Sequence, residues 1–174
     1  ALAMVNGKSL LQRNVEYFQQ FGIRDVIINV HHFANQIYDA VKKSNGWGST
    51  IYISDEQDQL LDTGGGLMKV KKWMDNKEPF VTTNADILTD LDLNKLIAFH
   101  KQHQPLISMA VTQRKTSRYF LFDENNRLCG WRNTKTGEEK ITIKKEGLVE
   151  KAYSCVVVFD PKVFSLISFT GKFS

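Results

Sequence analysis

Residues 61–66 of the chain read LDTGGG, and residues 79–86 read PFVTTNAD. Three successive glycines leave backbone N–H groups uncovered, so that a flat or anionic group can lie directly against them. The second stretch has the pattern of a buried strand that ends in Asp86, and the carboxyl ends of strands are where open α/β sheets bind their ligands. Together the two stretches predict a nucleotide site in which Asp86 binds a metal ion.

The segments around these stretches alternate between helical and strand patterns. Apolar residues recur at helical spacing in residues 9–21, and residues 26–30 form a near-continuous apolar run typical of a strand buried on both faces. This alternation predicts a single α/β domain over residues 1–174, a three-layer α/β/α arrangement around a mostly parallel, Rossmann-like sheet. The expected helices are residues 9–21, 34–43, 67–74 and 93–103, and the expected strands are residues 23–30, 50–53, 80–83 and 106–111.

The pattern changes between residues 114 and 150. Short strand candidates at Tyr119–Phe122, Leu128–Arg132 and Lys140–Ile143 are separated by turn-forming residues. This segment is predicted to be a small antiparallel insertion that forms a lid or a wall beside the site. Residues 153–159 then return to the pattern of a buried strand.

The composition indicates an ordinary globular protein and narrows its partners. Hydrophobic residues make up 42% of the 174 positions, charged residues make up 24%, and the net charge of +4 suits an anionic small molecule. The basic residues do not form the one-sided cluster typical of nucleic-acid binders, so no nucleic-acid partner is expected. No apolar run approaches the roughly 20 residues of a membrane span, and no signal peptide is recognisable.

We therefore expect a cytoplasmic protein that does not bind a membrane, and leave its oligomeric state open. Cys129 and Cys155 lack CxxC spacing. They are interpreted as reduced thiols, with one disulfide between them as the alternative.

Each candidate residue also has a purely structural explanation. Asp86 could open a turn or cap a helix, and the glycine run could be a tight connection, since it matches neither the P-loop nor the GxGxxG pattern. We favour ligand binding because the two features occur together. His31 and His32 are interpreted as a strand exit. His100 and His103 are interpreted as a helix surface, because no carboxylate or thiol accompanies them at ligand spacing.

Five motifs resemble those of the sugar-1-phosphate nucleotidyltransferase family, in particular its N-acetylmuramate 1-phosphate uridylyltransferases and mannose 1-phosphate guanylyltransferases. Residues 61–66 resemble L-(E/D/G)-T-(G/A)-G-G, and residues 84–86 match N-(G/A)-D. Residues 5–10 resemble V-x-G-K-P-L/I, residues 25–41 resemble (D/E)-I-V-I-N-x-(H/A)…Q-I, and residues 153–161 resemble (F/Y)-(T/S)-G-I-x-V-(F/L)-x-P.

The resemblance implies a fold of the nucleotide-diphospho-sugar transferase type and a mechanism. An oxygen of the sugar 1-phosphate would attack the α-phosphorus of UTP or GTP, and pyrophosphate would leave in line. Mg²⁺, with Asp86 as one ligand, would neutralise the charge, while the protein positions the reactants. The residues implied to bind the nucleotide are Thr63, Gly64, Gly65 and Asn84, and those implied to bind the sugar are Tyr119, Tyr153 and Ser154, helped by the insertion.

The chain also departs from the family pattern. The glycine-rich signature that holds the triphosphate would precede residue 1, the second metal-binding aspartate would follow residue 174, and Cys155 stands where a glycine is usual. We therefore expect an internal portion of a longer protein, truncated at both ends, that does not turn over alone. Two other functions stay open. One is a degenerate domain that binds a nucleotide or sugar phosphate as a regulatory sensor, and the other is an α/β interaction domain without a ligand.

Overall fold

The structure is a computed structural model that describes residues 1–74 and 78–174. Helices and strands alternate in the first part of the chain, and strands follow one another in the second. The strands are β1 (Met4–Val5), β2 (Lys8–Ser9), β3 (Asp25–Val30), β4 (Thr50–Asp55), β5 (Phe80–Thr83), β6 (Ile107–Thr112), β7 (Arg118–Phe122), β8 (Leu128–Asn133), β9 (Glu138–Ile141) and β10 (Val149–Phe159). The helices are α1 (Leu10–Gln20), α2 (Ala34–Lys43), α3 (Asp62–Val70), α4 (Leu93–His103) and α5 (Val163–Leu166).

Local capping signals determine where the longer helices begin and end. The Ser9 side chain accepts a hydrogen bond from the backbone N–H of Gln12 at the start of α1, and the Asp92 side chain accepts one from Asn94 at the start of α4. Gly22 follows the end of α1 with φ of 77°, a conformation that favours glycine. The helices predicted for residues 9–21 and 93–103 are confirmed as α1 and α4.

Strands β3 and β4 form the parallel pair that the buried apolar run predicted. Their register runs from Asp25 opposite Thr50 to Val30 opposite Asp55. Helix α2 connects them, as a parallel pair requires. The carboxyl ends of both strands therefore lie at the same edge, beside residues 55–56 and the start of α3.

The remaining long strands form a sheet around β10 in which the pairings within the described residues are all antiparallel, rather than the mostly parallel sheet expected. Its order is β5-β10-β7-β8-β9, and β6 also pairs with β10. Strands β5 and β6 are both antiparallel to β10, so they run in the same direction. The chain reaches β10 through the antiparallel ladder of β7, β8 and β9 without a helical crossover, and an antiparallel return is the pairing that such a connection allows.

The antiparallel ladder lies within the predicted insertion, residues 114–150. Its first strand, β7, pairs with the first three residues of β10, Val149–Lys151, and the rest of β10 pairs with β5 and β6. The register of β10 against β6 shifts between Tyr153 and Val157, which marks a β-bulge. One long strand thus joins the insertion to the central part of the sheet, and the bulge lies near this junction.

Two hydrophobic clusters hold these elements together. The larger joins α1, α2, α4, β3 and β10, and its buried members are Leu11, Phe18, Val26, Ile28, Val30, Ala34, Ile37, Leu93 and Val156. The smaller stacks the ring of Phe80 against those of Phe159 and Phe164, with ring centroids 5.3 and 5.5 Å apart. Of the helices in the described parts of the chain, none combines the length and apolar character needed to span a bilayer.

Helix α3 differs from its prediction at its first residue. The expected helix began at Leu67, after a glycine loop, but the observed helix begins at Asp62 and contains all three glycines. It ends at Val70, and a short 3₁₀ turn, Lys71–Trp73, follows. Glycine costs a helix interior about 1 kcal/mol relative to alanine, so contacts elsewhere in the molecule must favour glycine here.

Candidate functional site

The first candidate site lies at the carboxyl ends of β5 and β6, on either side of β10. Residue 84 follows β5 directly, and the partner of Thr83 on β10 is Val156. Residue 113 follows β6, and the partner of Thr112 on β10 is Ala152. Because β5 and β6 run in the same direction, the segments that follow them emerge at the same edge of the sheet, beside the bulge of β10.

Asp86 and Asn84 lie in the turn after β5 and are exposed. Within residues 1–74 and 78–174, neither side chain has a hydrogen-bond or ion-pair partner. A carboxylate that is exposed and unpaired needs no loss of internal contacts before it binds a cation. The prediction that Asp86 follows the end of a buried strand is confirmed, while its role as a metal ligand remains a prediction.

Arg114 is a candidate that sequence reasoning missed. It is exposed just past the end of β6, and its guanidinium donates a hydrogen bond to the backbone carbonyl of Tyr153 at 3.1 Å. A basic residue two positions after a strand is the signal that could have identified it. The sequence did not show that β6 lies beside β10, so nothing connected Arg114 to the other candidates.

Cys155 lies in the bulge, within electrostatic range of both Asp86 and Arg114. Burial raises the pKa of its thiol, the Arg114 guanidinium opposes that rise, and the Asp86 carboxylate adds to it. Its φ of 60° lies in the left-handed region that favours glycine. The Cys155 side chain is only partly buried. Both cysteines are free thiols.

Of the three residues predicted to bind a sugar, Tyr153 and Ser154 lie at this bulge, and Tyr119 lies on the neighbouring strand β7. Tyr153 is partly buried, which raises its pKa to about 12, with Cys155 contributing, and its ring packs edge-on against that of Phe120 at 5.7 Å. The Ser154 hydroxyl is buried and has no hydrogen-bond partner among residues 1–74 and 78–174. Tyr119 lies on β7, where its hydroxyl accepts a hydrogen bond from the backbone N–H of Thr116. The structure thus brings Tyr153 and Ser154 to the strand that borders Asp86.

The second candidate site is the glycine segment at the start of α3. The backbone N–H groups of Gly64 and Gly65 donate to the carbonyl oxygen of Phe173, at 2.9 and 3.2 Å. The N–H of Phe173 donates in turn to the carbonyl of Leu61 at 3.1 Å. Thr63 is exposed beside them. The amides that the sequence predicted for a ligand are therefore bound by the chain itself.

A buried carboxylate, that of Glu56, holds the residue that precedes α3 and its glycine segment. Glu56 is 5% exposed, and its two oxygens accept hydrogen bonds from the side-chain amide of Asn29 at 3.0 Å and from the backbone N–H of Leu61 at 3.1 Å. A methyl group at Gly66 would overlap that Asn29 amide and the Glu56 carboxylate. Glu56 is thus a positioning residue that sequence reasoning missed. Its place directly after β4 was the only available signal.

The interpretations of His31 as a strand exit and of His103 as a helix-surface residue fit the structure, but the interpretation of His100 as a helix-surface residue is wrong, because its side chain is buried. His31 Nδ1 donates to the backbone carbonyl of Glu56 at 2.7 Å, at the exit of β3. His100 is buried and its Nδ1 lies 2.9 Å from the Ser108 hydroxyl, and burial lowers the pKa of its imidazole. His103 is exposed, and its ring stacks on that of Phe99 at the surface of α4.

The smaller hydrophobic cluster connects the elements that carry the two candidate sites, because Phe80 of β5 is one of its buried members and Leu67 of α3 packs against it. No hydrogen bond or ion pair joins Asp86 to residues 61–66 in the described chain, so a cleft shared by both remains a prediction. In the described ranges, no group of three or more metal-ligating side chains is present. Mg²⁺ is often held by one or two carboxylates with substrate phosphates, and Asp86 fits the role of one such ligand.

Comparison with known families gives one match over most of the chain. The model of a family described as nucleotidyl transferase matches residues 1–127. A UTP–glucose-1-phosphate uridylyltransferase of Synechocystis is 25% identical in an alignment that covers 92% of this chain and 43% of that protein. An N-acetylmuramate alpha-1-phosphate uridylyltransferase of Neisseria meningitidis is 32% identical over 88 residues, which cover 51% of this chain and 38% of that protein. The chain thus spans less than half the length of these relatives.

Solved structures share the fold. HddC from Yersinia pseudotuberculosis superposes with a TM-score of 0.77 at 20% identity, covering 99% of this chain and 72% of that one. The inositol-1-phosphate CTP transferase from T. maritima superposes with a TM-score of 0.66 at 16% identity, covering 99% of this chain and 67% of that one. The predicted α/β, Rossmann-like fold is confirmed by these likenesses.

Proposed function

Because this chain belongs to the nucleotidyl transferase family, we propose that it serves to join a nucleoside triphosphate to a sugar 1-phosphate, with release of pyrophosphate. The observation that carries the proposal is the exposed, unpaired Asp86 at the carboxyl end of β5. It lies across the β10 bulge from the cationic Arg114, whose guanidinium donates to the backbone of Tyr153. A carboxylate for a cation and a guanidinium for a phosphate at one sheet edge suit a pair of phosphorylated substrates.

The reaction needs little covalent chemistry from the protein. An oxygen of the sugar phosphate forms a bond to the α-phosphorus, and the bond from that phosphorus to pyrophosphate breaks. Mg²⁺ would supply charge neutralisation, with Asp86 as its protein ligand. Arg114 would orient a phosphate oxygen, because a guanidinium offers several N–H donors in a fixed plane. Positioning and electrostatic stabilisation would then supply most of the rate enhancement.

The other candidate residues divide between the two substrates. The nucleotide would contact Thr63, Gly64, Gly65 and Asn84, and the sugar would contact Tyr119, Tyr153 and Ser154. The buried Ser154 hydroxyl lacks a partner within the described chain, and a sugar hydroxyl that reached it would satisfy it. UTP and GTP are the proposed triphosphates, in keeping with the uridylyltransferase and guanylyltransferase names of the relatives.

Nucleotide binding is the first test, since the chain covers less than half of its relatives' length. We expect UTP or GTP to bind saturably to the 174-residue protein in calorimetric titrations, and Mg²⁺ to strengthen the binding. Asp86→Asn should abolish the strengthening by Mg²⁺. Asp39→Asn, an exposed aspartate on α2, is the matched control and should leave it intact. Absence of saturable binding by either nucleotide, both in this protein and in variants that release Phe173 from the Gly64 and Gly65 amides, would refute the proposal.

A second candidate function is a family member that binds a nucleotide or sugar phosphate without catalysis, as a regulatory module. The occupation of the Gly64 and Gly65 amides by Phe173 favours it, because a chain that fills its own site is poorly prepared for turnover. Pyrophosphate release separates the two functions. The regulatory module predicts saturable binding of UTP or GTP and no pyrophosphate release with any sugar 1-phosphate, in the whole protein that contains this chain.

A further inference from the structure

Residues 169–173, here called the docking segment, lie on the glycine segment of α3. Three backbone hydrogen bonds join them, two from Gly64 and Gly65 to the Phe173 carbonyl and one from the Phe173 N–H to Leu61. The ammonium of Lys172 lies 3.7 Å from the Asp62 carboxylate. These contacts connect positions more than 100 residues apart in the chain.

The docking segment explains why two of the three glycines are glycines. A methyl group at Gly64 would overlap the Phe173 ring, and one at Gly65 would overlap the Gly171 carbonyl oxygen. Neither glycine has the positive φ that would itself exclude other residues. Space for an approaching group, not backbone conformation, is therefore the property that glycine supplies at these two positions.

Phe173, the residue that approaches Gly64 and Gly65, shares two features with a nucleobase. The Phe173 ring is planar and lies directly against Gly64, and its backbone carbonyl oxygen accepts two converging N–H donors. A base that carries a ring carbonyl, as uracil and guanine do, presents the same two features. We propose that the docking segment is a reversible internal occupant of the nucleotide subsite, so that a nucleotide binds only after Phe173 leaves. This inference rests on the proposed function.

Several observations indicate that the docking segment is held weakly enough to leave the glycine segment. Residues 167–174 contain no helix or strand, so the segment is held by few backbone contacts. Phe169 is 68% exposed, although its ring lies 5.6 Å from that of Phe173. The Lys172–Asp62 pair is exposed to water, where such a pair contributes little. An open apolar hollow of about 310 Å³, lined by Leu166, Ile167, Phe169 and Phe173, leaves the ring room to move.

Competition has a quantitative consequence for affinity. When the competent state is a minor fraction of the protein, the apparent dissociation constant rises by the inverse of that fraction. A variant whose docking segment is released should therefore bind nucleotide more tightly, on the order of tenfold if one molecule in ten is open. A segment that merely completes the subsite predicts the opposite sign, weaker binding after release.

The experiment compares Phe173→Ala, which removes the ring, with Gly171→Val, which acts on the backbone. Gly171 has φ of 74°, so a β-branched residue there disfavours the docked conformation. Phe99→Ala, an exposed phenylalanine on α4, is the matched control. Amide hydrogen exchange of Gly64 and Gly65 reports docking without nucleotide, and calorimetry reports the affinities for UTP and GTP with Mg²⁺.

We expect faster exchange at Gly64 and Gly65 and tighter nucleotide binding in both docking-segment variants, with Phe99→Ala unchanged. Exchange protection elsewhere in the chain, at α1 and β10, verifies that each variant is folded. Equal or weaker binding in two folded variants would overturn the competition while leaving the proposed function in place. If the wild type and both variants all fail to bind UTP and GTP, the proposed function falls, and the competition falls with it.

Discussion

Asp86 and Arg114 lie on opposite sides of strand β10, each just past the carboxyl end of a strand that pairs with it. Cys155 in the bulge between them is influenced by both charges. One carboxylate and one guanidinium are thereby brought to the same short stretch of backbone. This relationship follows from the parallel directions of β5 and β6, and it makes the thiol of Cys155 a natural reporter of the site.

The first prediction concerns the titration of Cys155 in metal-free buffer. Arg114 holds the pKa of the thiol down and Asp86 raises it. Arg114→Gln should therefore raise the midpoint and slow alkylation by iodoacetamide at pH 8, because the thiolate is the reactive form. Asp86→Asn should shift the midpoint in the opposite direction. Lys115→Gln, an exposed neighbouring cation, is the control, and equal midpoints in all four proteins would contradict the geometry. Cys129 is fully buried and should not react.

The second prediction uses the backbone of Cys155. Its φ of 60° favours glycine over residues that carry a Cβ atom, by about 1 kcal/mol. Cys155→Gly should thus be more stable than Cys155→Ala in urea denaturation, by about that amount. At Cys129, which has no positive φ, the order should reverse, and Ala should be more stable than Gly. The same order at both positions would show that strain at the bulge is absent.

Local signals in the sequence were sufficient for much of the fold. Helices α1 and α4 depend on apolar spacing and on caps within three positions of each helix start, and both helices were predicted at nearly their observed bounds. The apolar run at residues 26–30 predicted a strand of a parallel sheet, and β3 does pair in parallel, with β4. The position of Asp86 also followed, because the end of a strand is a local property.

The features that could not be predicted from the sequence depend on contacts between residues that are distant in the chain. Helix α3 begins at Asp62 rather than Leu67, and the amides of Gly64 and Gly65 in its first turn are bound by Phe173, which is more than 100 residues away in the chain. Arg114 lies at the site because β6 pairs with β10, and the sequence did not predict that pairing. Glu56 acts through Leu61 and Asn29, one on a loop and one on another strand, and no spacing rule connects the three.

The third prediction tests Glu56 as the support of the glycine segment. Glu56→Ala would leave the Leu61 N–H and the Asn29 amide without their acceptor, which should cost about 1–3 kcal/mol of unfolding free energy. It should also speed amide exchange at Gly64 and Gly65, because the segment loses its anchor. Glu146→Ala, at an exposed position, should change stability by less than about 0.5 kcal/mol. Comparable stability of the two variants would exclude the support role.

The last prediction concerns the acid stability of the insertion. The Asp123 carboxylate accepts hydrogen bonds from Lys145 Nζ at 2.6 Å and from the backbone N–H groups of Asn125 and Arg127 at 3.0 and 2.9 Å. The hydrogen bond from Lys145 is the largest cause that lowers the pKa of Asp123, and the Arg127 N–H comes next. This carboxylate therefore connects the turn after β7 to the segment after β9.

A lowered pKa in the folded state fixes the sign of the pH dependence. The stabilisation is fully present above the unfolded-state pKa of about 4 and is lost as pH falls through the lower folded value. Asp123→Asn should thus be less stable than wild type at pH 7, and the difference should shrink by pH 3, as measured by urea unfolding at both values. Asp39→Asn, exposed on α2, should show no such change between the two pH values. A difference for Asp123→Asn that is the same at pH 7 and pH 3 would mean that packing, not the charge of Asp123, stabilises the turn.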